Sequence, residues 1–511
     1  MHRTRYFLST YSRSKVLVLK FEKMYSQDCK LIDKAYINGS WVSAKSKKTF
    51  QVVDPATCKP IASVPDMNVE DCELAVKSAE EAFQQWKNTT AKERSILLRK
   101  WYDLLVQNQN ELAKVLTLEA GKPLKESLGE VFYGNSFVEW FAEEAKRCYG
   151  EVIPAPVKGR EMVVIKQPIG VVGLITPWNF PHAMITRKAG AALAAGCTCV
   201  IKPAEDTPFT ALALAELAEQ AGIPKGVINV VTSSRSNAPE IGKYLCESPA
   251  IAGISFTGST AVGKLLYQQC AQGVKRVSLE LGGNAPFIVF SNANIDKAVE
   301  GAIASKFRNC GQTCISANRF LIHEDVYDEF VQKLADNVKL QLVVGDGKNP
   351  SCNVGPLINN EQVKKVEGIL NDAVSKGATV VTGGNRATNI GERFFEPTVL
   401  TNIKPNMVCY KEEIFGPLAI CIKFKSEEDC IKIANSTERG LAGYFYSNDV
   451  AQVWRVARGL EVGMIGINEG LISSAEAPFG GVKESGIGRE GSRHGLEEYT
   501  YMKYLCFGNL S

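Results

Sequence analysis

Residues 171–205 read VVGLITPWNFPHAMITRKAGAALAAGCTCVIKPAE, and they spell one strand–helix–strand unit. Val171 to Ile175 and Cys199 to Ile201 are short, uninterrupted apolar runs, the signature of strands buried on both faces. Between them, Ile185 to Ala195 is rich in Ala and reads as a helix. The alternation continues downstream, with a helix predicted over Phe209 to Ala221 and strands at Val227 to Val231 and Ile251 to Phe256. Val/Ile-rich strands alternating with helices predict a parallel sheet covered on both sides, the architecture of a dinucleotide-binding α/β fold.

Upstream of this unit, Ala35 to Val42 reads as a hairpin about Asn38-Gly39. Ala75, Ala79, Ala82, Phe83 and Trp86 share one helical stripe, as do Leu98, Trp101, Tyr102 and Leu105; Gly121 and Pro123 close that helical block. Residues 150–168 are extended, with a strand at Met162 to Ile165. Downstream, Val277 to Glu280 followed by Leu281-Gly282-Gly283 breaks the rhythm and reads as a boundary. A second α/β run starts at Phe287. Its helices are predicted near 294–307, 326–340 and 360–376, and its strands near 319–323, 379–382, 418–424, 441–446 and 463–467. From about residue 485 the tail carries more strand signal, at Tyr499 to Leu505.

At 511 residues the chain exceeds one ordinary core and calls for two or three domains. No apolar run reaches the ~20 residues of a membrane helix. The formal charge of +4 is concentrated at the start: residues 1–23 hold Arg3, Arg5, Arg13, Lys15, Lys20 and Lys23 against Glu22, leaving 53 bases against 54 acids elsewhere. The body therefore has no charge signature of nucleic-acid binding. The basic, acid-poor head, taken as residues 1–29, reads as a mitochondrial transit peptide; the alternative is an upstream extension with Met24 as the true start. Fifteen irregularly spaced cysteines, several in apolar segments, point to a reducing compartment, the mitochondrial matrix or the cytoplasm. With four histidines and neither a Cys-x-x-Cys pair nor metal-ligand spacing, no metal site is expected.

Several segments carry chemistry. Cys314 ends Phe307-Arg-Asn-Cys-Gly-Gln-Thr-Cys314 on a turn before a strand, where a thiol can be exposed and nucleophilic; taken alone, one cysteine of fifteen reads more readily as structural. Glu280, between Leu279 and Leu281 at a strand end, is a general-base candidate if desolvation raises its pKa, and otherwise a solvated strand end. Asn179, in Thr176-Pro-Trp-Asn-Phe-Pro181, offers a rigid side-chain amide for a developing oxyanion, or an Asx turn. Phe256-Thr-Gly-Ser-Thr-Ala-Val-Gly263 follows a strand and opens a helix whose N–H groups suit a pyrophosphate. It resembles a Walker A loop, but Leu265 replaces the magnesium-binding hydroxyl, which excludes a P-loop NTPase. Lys202-Pro-Ala-Glu205 ends a strand where an acid can bind a ribose 2′-hydroxyl and repel a 2′-phosphate, favouring NAD over NADP.

In order and spacing these segments, with Glu413-Ile-Phe-Gly-Pro and Pro478-Phe-Gly-Gly, resemble the aldehyde dehydrogenase superfamily over residues 30 to 507. The resemblance implies that Cys314 attacks an aldehyde carbon and that Asn179 and the Cys314 N–H stabilise the oxyanion. Hydride transfer to a nicotinamide then leaves a thioester, and Glu280 activates the water that hydrolyses it. It implies cofactor contacts from Trp178, Lys202, Pro203, Ala204, Glu205, Gly258, Ser259, Glu413 and Phe415. The implied fold is a Rossmann-type NAD-binding domain (30–149 and 169–281), an α/β catalytic domain (282–484) and a bridging β oligomerisation segment (150–168 and 485–511) that builds homodimers or homotetramers.

Within the superfamily the likeness is greatest to succinate-semialdehyde dehydrogenases, through Met184-Ile-Thr-Arg-Lys-Ala-Gly, Lys306-Phe-Arg-Asn and Gly470-Leu-Ile-Ser-Ser, which implies a role in 4-aminobutyrate degradation. Arginine forks suit carboxylates, so Arg187 and Arg308 are expected in the substrate tunnel with the Ser473 hydroxyl; the alternative places one of them on a solvated helix face. Some relatives carry Cys-x-Cys at the nucleophile, whereas Ser316 here removes that pair. Cys310 could reach Cys314 only if the loop folds to bring them together. The competing readings are another semialdehyde such as glutarate semialdehyde, use of NADP, and a catalytically silent structural or binding protein on this fold.

Overall fold

The computed structural model describes residues 29–509. The basic head, Cys29 apart, thus lies outside the described residues. Two sheets organise the chain. The first runs, in spatial order, Ser40–Val42, Ala35–Ile37, Ile228–Val230, Thr198–Lys202, Val171–Ile175, Ile251–Thr257, Arg276–Glu280 and Gly486–Ile487. Its five central strands are parallel and its outer pairings antiparallel. Burial on both faces is visible residue by residue: Val172 and Leu174 join one apolar cluster, while Val171 and Ile175 join another, as the two-residue alternation of a strand requires.

Chain order reverses at Val171–Ile175. The next two strands stack on one side of it, and Ile251–Thr257 pairs on the other. Where order reverses, the following loops diverge and open a crevice at the carboxyl ends of the strands. Two of the segments singled out in the sequence leave from there: Pro177 to Asn179, and Gly258-Ser259.

The second sheet runs Thr379–Thr382, Thr398–Thr401, Leu418–Phe424, Arg319–His323, Pro286–Val289, Ala442–Tyr446 and Met464–Ile467, parallel but for the first pair. Ile288 and Leu321 face one core, and Phe287, Val289, Phe320 and Ile322 the other. A third, three-stranded antiparallel sheet joins Glu151–Ile153, Glu161–Pro168 and Thr500–Phe507.

Two sequence expectations are corrected. Val277 to Glu280, not among the strands read along the sequence, is the last parallel strand of the first sheet, in register with Ile254 to Thr257, and the boundary read there falls just after it. It resembles an ending because it leads straight into the second sheet with no intervening helix. The tail is also not one segment from residue 485: Gly486–Ile487 returns to pair with Leu279 and Glu280, and the three-stranded sheet is entered only at Thr500.

The helix Pro181–Ala195 continues directly from the Pro177 to Asn179 loop. All fifteen of its residues are buried, including Arg187 and Lys188. A helix enclosed on every side cannot leave two adjacent cations unpaired. Glu490 meets both: one carboxylate oxygen pairs with Arg187 Nε, the other with Lys188 Nζ.

Candidate active site

A cavity of about 240 Å³ lies between the two large sheets, lined by Pro177, Trp178, Asn179, Thr257, Gly258, Ser259, Glu280, Leu281, Gly282, Cys314, Gln362, Lys365, Glu413 and Phe415. Cys314, Glu280 and Asn179 thus share one wall system, although they leave three separate elements.

Cys314 is half-buried on a turn between the helix Ile295–Phe307 and the strand Arg319–His323. Just before it, Asn309, Cys310 and Gly311 are all left-handed, with φ of +52°, +55° and +73°. That conformation strains a non-glycine residue, so the turn must be held. Glu126 accepts the Asn309 N–H at 2.9 Å, and Gln312 Nε2 donates to the Asn309 and Pro356 carbonyls. Ile358 N–H donates to Gln312 Oε1 at 3.0 Å. Burial pushes the Cys314 thiol up to about 12; Arg187 and Arg308 pull against this, while Glu413 and Glu280 push with it. The resting group is therefore a thiol, and nucleophilic attack needs a proton acceptor.

Asn179 is buried, and its main-chain carbonyl is gripped from two sides, by Lys122 Nζ at 2.7 Å and by Asn309 Nδ2 at 3.0 Å. Its own Nδ2 donates to the Gln312 carbonyl at 3.1 Å, tying the loop to the nucleophile turn. Lys122 is in turn paired with buried Glu130, whose carboxylate accepts the His182 N–H at 2.9 Å and caps the helix behind the loop. Held in this way, the Asn179 amide is preorganised.

Glu280 ends its strand fully buried, and neither carboxylate oxygen has a hydrogen-bond partner among the described residues. Its pKa is held well above the usual range, first by burial and then by the Glu490 charge, with Arg187 and Lys188 opposing. An orphaned carboxylate beside a cavity can take a proton from a thiol or a water.

The Gly282-Gly283 pair has a steric reason. A side chain at 282 would sit 2.5 Å from Glu413 Oε2, and one at 283 would sit 2.6 Å from the Cys314 carbonyl. The Gly283 N–H donates to Glu413 Oε1 at 2.9 Å. Trp178 and Phe415 meet edge-to-face at 5.5 Å, and Gln362 Nε2 fixes the Phe415 carbonyl at 2.7 Å. Ser259 caps the helix Thr260–Cys270 through the Val262 N–H. Together these supply an apolar slot, a carboxylate and a helix N-terminus, which fits a dinucleotide. Lys202, Pro203, Ala204 and half-buried Glu205 stand outside the cavity lining, at the end of the adjacent parallel strand.

The three substrate candidates separate. Arg187 is buried and stacked on Phe479 at 4.6 Å, with its Nε in an ion pair with Glu490. Arg308 is half-buried, stacks on Phe180 at 5.0 Å, and forms no ion pair among the described residues. Ser473 is half-buried on the loop after Met464–Ile467. Cys310 is buried, and it forms no disulfide with Cys314. His182, pulled down to about 3 by burial, bonds Asn135 and is structural.

Sequence reading missed Gln362, Lys365, Lys122, Lys188 and Glu490. Lys188 was detectable, since two adjacent cations inside an Ala/Gly helix demand a buried acid. Its partner lies 302 residues away and carried no such signal.

The family model described as "Aldehyde dehydrogenase family" matches residues 41–505. The chain is 58% identical to the Homo sapiens protein named "Succinate-semialdehyde dehydrogenase, mitochondrial", over 93% of this chain and 88% of that one. It is 54% identical to a "Glutarate-semialdehyde dehydrogenase" of Pseudomonas aeruginosa, over 95% of this chain and all of that one. Among solved structures, a succinate-semialdehyde dehydrogenase from Burkholderia pseudomallei superposes with TM-score 0.92 at 55% identity, covering 94% of this chain and 98% of that one. An "E. coli NADP dependent enzyme" superposes with TM-score 0.92 at 52% identity and the same coverage. A Staphylococcus aureus betaine aldehyde dehydrogenase "in complex with NAD+" gives 0.91 at 36% identity, covering 94% and 95%.

Proposed function

Since the chain belongs to the aldehyde dehydrogenase family, we propose that it oxidises succinic semialdehyde to succinate with NAD, through a thioester on Cys314. Cys314 gives up its proton to Glu280 and bonds to the aldehyde carbon. The Asn179 amide and the Cys314 N–H hold the oxyanion that forms. The chemistry a bound nicotinamide dinucleotide supplies is acceptance of the hydride from this adduct. Glu280, freed of its proton, then draws one from the water that attacks the thioester, and the thiol leaves with a proton. The buried Lys188–Glu490 pair acts on Glu280 through its charges.

The observation that carries the substrate class is Arg308, a guanidinium with no ion pair among the described residues, stacked on Phe180 next to Asn179 and six residues before Cys314. Such a group is complementary to a carboxylate. Arg187 joins it through the guanidinium nitrogens that Glu490 does not engage, and Ser473 adds a hydroxyl. Trp178, Gly258, Ser259, Glu413 and Phe415 hold the nicotinamide and pyrophosphate side of the cofactor, joined by Gln362 and Lys365. Lys202, Pro203, Ala204 and Glu205 hold the adenosine ribose. Glu205 favours NAD, because its charge would oppose a 2′-phosphate. The basic head, together with the mitochondrial relatives, favours the matrix. Val152 and Phe507 are exposed on one face of the three-stranded sheet and Met502 and Tyr504 on the other, apolar surface that supports assembly into a homodimer or homotetramer.

The test is kcat/KM with NAD for succinic semialdehyde beside butanal, which has the same carbon chain without the carboxylate. A preference of about 100-fold, or ~2.7 kcal/mol, is expected; comparable values would reduce the protein to a general aldehyde oxidiser. The Pseudomonas relative favours one second reading, glutarate semialdehyde. One methylene is worth only ~1–3 kcal/mol, so that substrate belongs in the same assay.

A further inference from the structure

Tyr133 lies on the helix Leu124–Glu144 and packs against the cluster of Phe180, Ala183 and Met184, its ring edge-on to Phe137 at 4.9 Å. Its hydroxyl oxygen is shut off from solvent and has no hydrogen-bond partner among the described residues. An orphaned buried hydroxyl destabilises a fold, because its lost hydration is not replaced. A phenylalanine would fill the same space without that penalty, so the hydroxyl calls for an acceptor that arrives from outside. Its surroundings say what kind. Phe180 carries the Arg308 guanidinium on its ring and Tyr133 on its cluster. The charges acting on the hydroxyl come from Arg187, Arg308, Cys314 and Glu490. A neutral O–H donor and an uncommitted guanidinium therefore meet at Phe180, directly after Asn179 of the cavity wall.

We propose that Tyr133 is a specificity-determining residue whose phenol O–H donates to the substrate carboxylate alongside Arg308. This rests on the reading that the substrate is a carboxylated aldehyde. It adds a reason why neutral aldehydes are rejected: when one binds, the Tyr133 hydroxyl is sealed in with no acceptor, and a site built to hydrogen-bond its substrate penalises an analogue that lacks the group.

Tyr133→Phe keeps the ring and removes one oxygen. It is assayed with succinic semialdehyde and with butanal, NAD saturating, beside the wild type. KM for succinic semialdehyde is expected to rise roughly ten- to hundredfold with kcat little changed, as for loss of a hydrogen bond to a charged group. For butanal, kcat/KM is expected to stay within about twofold or to improve. An equal fall for both aldehydes would place the hydroxyl at the reacting carbon and overturn the proposal. So would an unchanged KM for succinic semialdehyde in a wild type that prefers it. A wild type with no preference for the carboxylated aldehyde would overturn the substrate reading itself, and this inference with it.

Discussion

Replacing Glu490 by glutamine separates the two jobs the structure gives it. Arg187 Nε and Lys188 Nζ each pair with one of its oxygens, and all three side chains are at most 4% exposed. Glutamine keeps the volume and one acceptor but leaves two buried cations without a counter-charge. Removing one partner of a buried pair costs ~3–5 kcal/mol. Lysine can relieve its share: burial already lowers the Lys188 pKa and Glu490 holds it up, so without Glu490 it falls further and the proton leaves. Arginine cannot shed its proton, so the loss falls on Arg187. At ~2–4 °C per kcal/mol for a domain of this class, Tm should drop by roughly 6–20 °C. Pairing Glu490→Gln with Arg187→Met should recover much of that loss. A second readout concerns Glu280, whose pKa is raised first by burial and then by Glu490. Losing that negative charge outweighs losing the smaller opposing charge of Lys188, so with Arg187 still charged the Glu280 pKa moves down. The base form then persists to lower pH, and the acid limb of thioester hydrolysis, followed in single turnovers, shifts toward acid. A Tm within ~2 °C of wild type, together with an acid limb that stays put or moves up, would refute the reasoning.

Three further outcomes are expected. Cys314→Ala should abolish dehydrogenation while leaving NAD binding, read by fluorescence titration; Glu280→Gln should keep NAD binding too but slow both thioester formation and its hydrolysis, each ~10²–10⁴-fold in single turnovers. Arg308→Met should raise KM for succinic semialdehyde far more than for butanal, whereas Arg187→Met should also lower Tm because it unbalances Glu490; identical behaviour of the two variants would contradict their different surroundings. Glu205→Ser should improve kcat/KM with NADP relative to NAD, and unchanged selectivity would remove Glu205 from cofactor discrimination.

Periodicity made much of the fold legible. The strands at 171–175, 319–323, 379–382 and 418–424 have the bounds the sequence predicted; the first, second and fourth are mostly buried, which requires apolar runs, and the exposed edge strand Thr379–Thr382 was legible from its β-branched residues. Thr398–Thr401, a short strand with a threonine at each end, was not readable, nor were the helices Glu427–Asn435 and Val450–Gly459. Arg276–Glu280 misled because a charged residue stands at each end and a Gly-Gly loop follows.

The α/β class, the positions of Cys314, Glu280 and Asn179 at the ends of strands and turns, and the likeness to a family whose model spans residues 41–505 are all written in the chain. These are local or ordered signals, carried by residues close in sequence. Which charges are spent is settled only by the folded molecule. Arg187 and Arg308 look alike in sequence, yet one is committed to Glu490 and the other to no ion pair among the described residues. Folding likewise makes Glu280 an orphaned buried base and leaves the Tyr133 hydroxyl with no acceptor. Pairing and desolvation depend on what the fold brings within a few ångströms, and for Lys188 and Glu490 that neighbour is 302 residues distant.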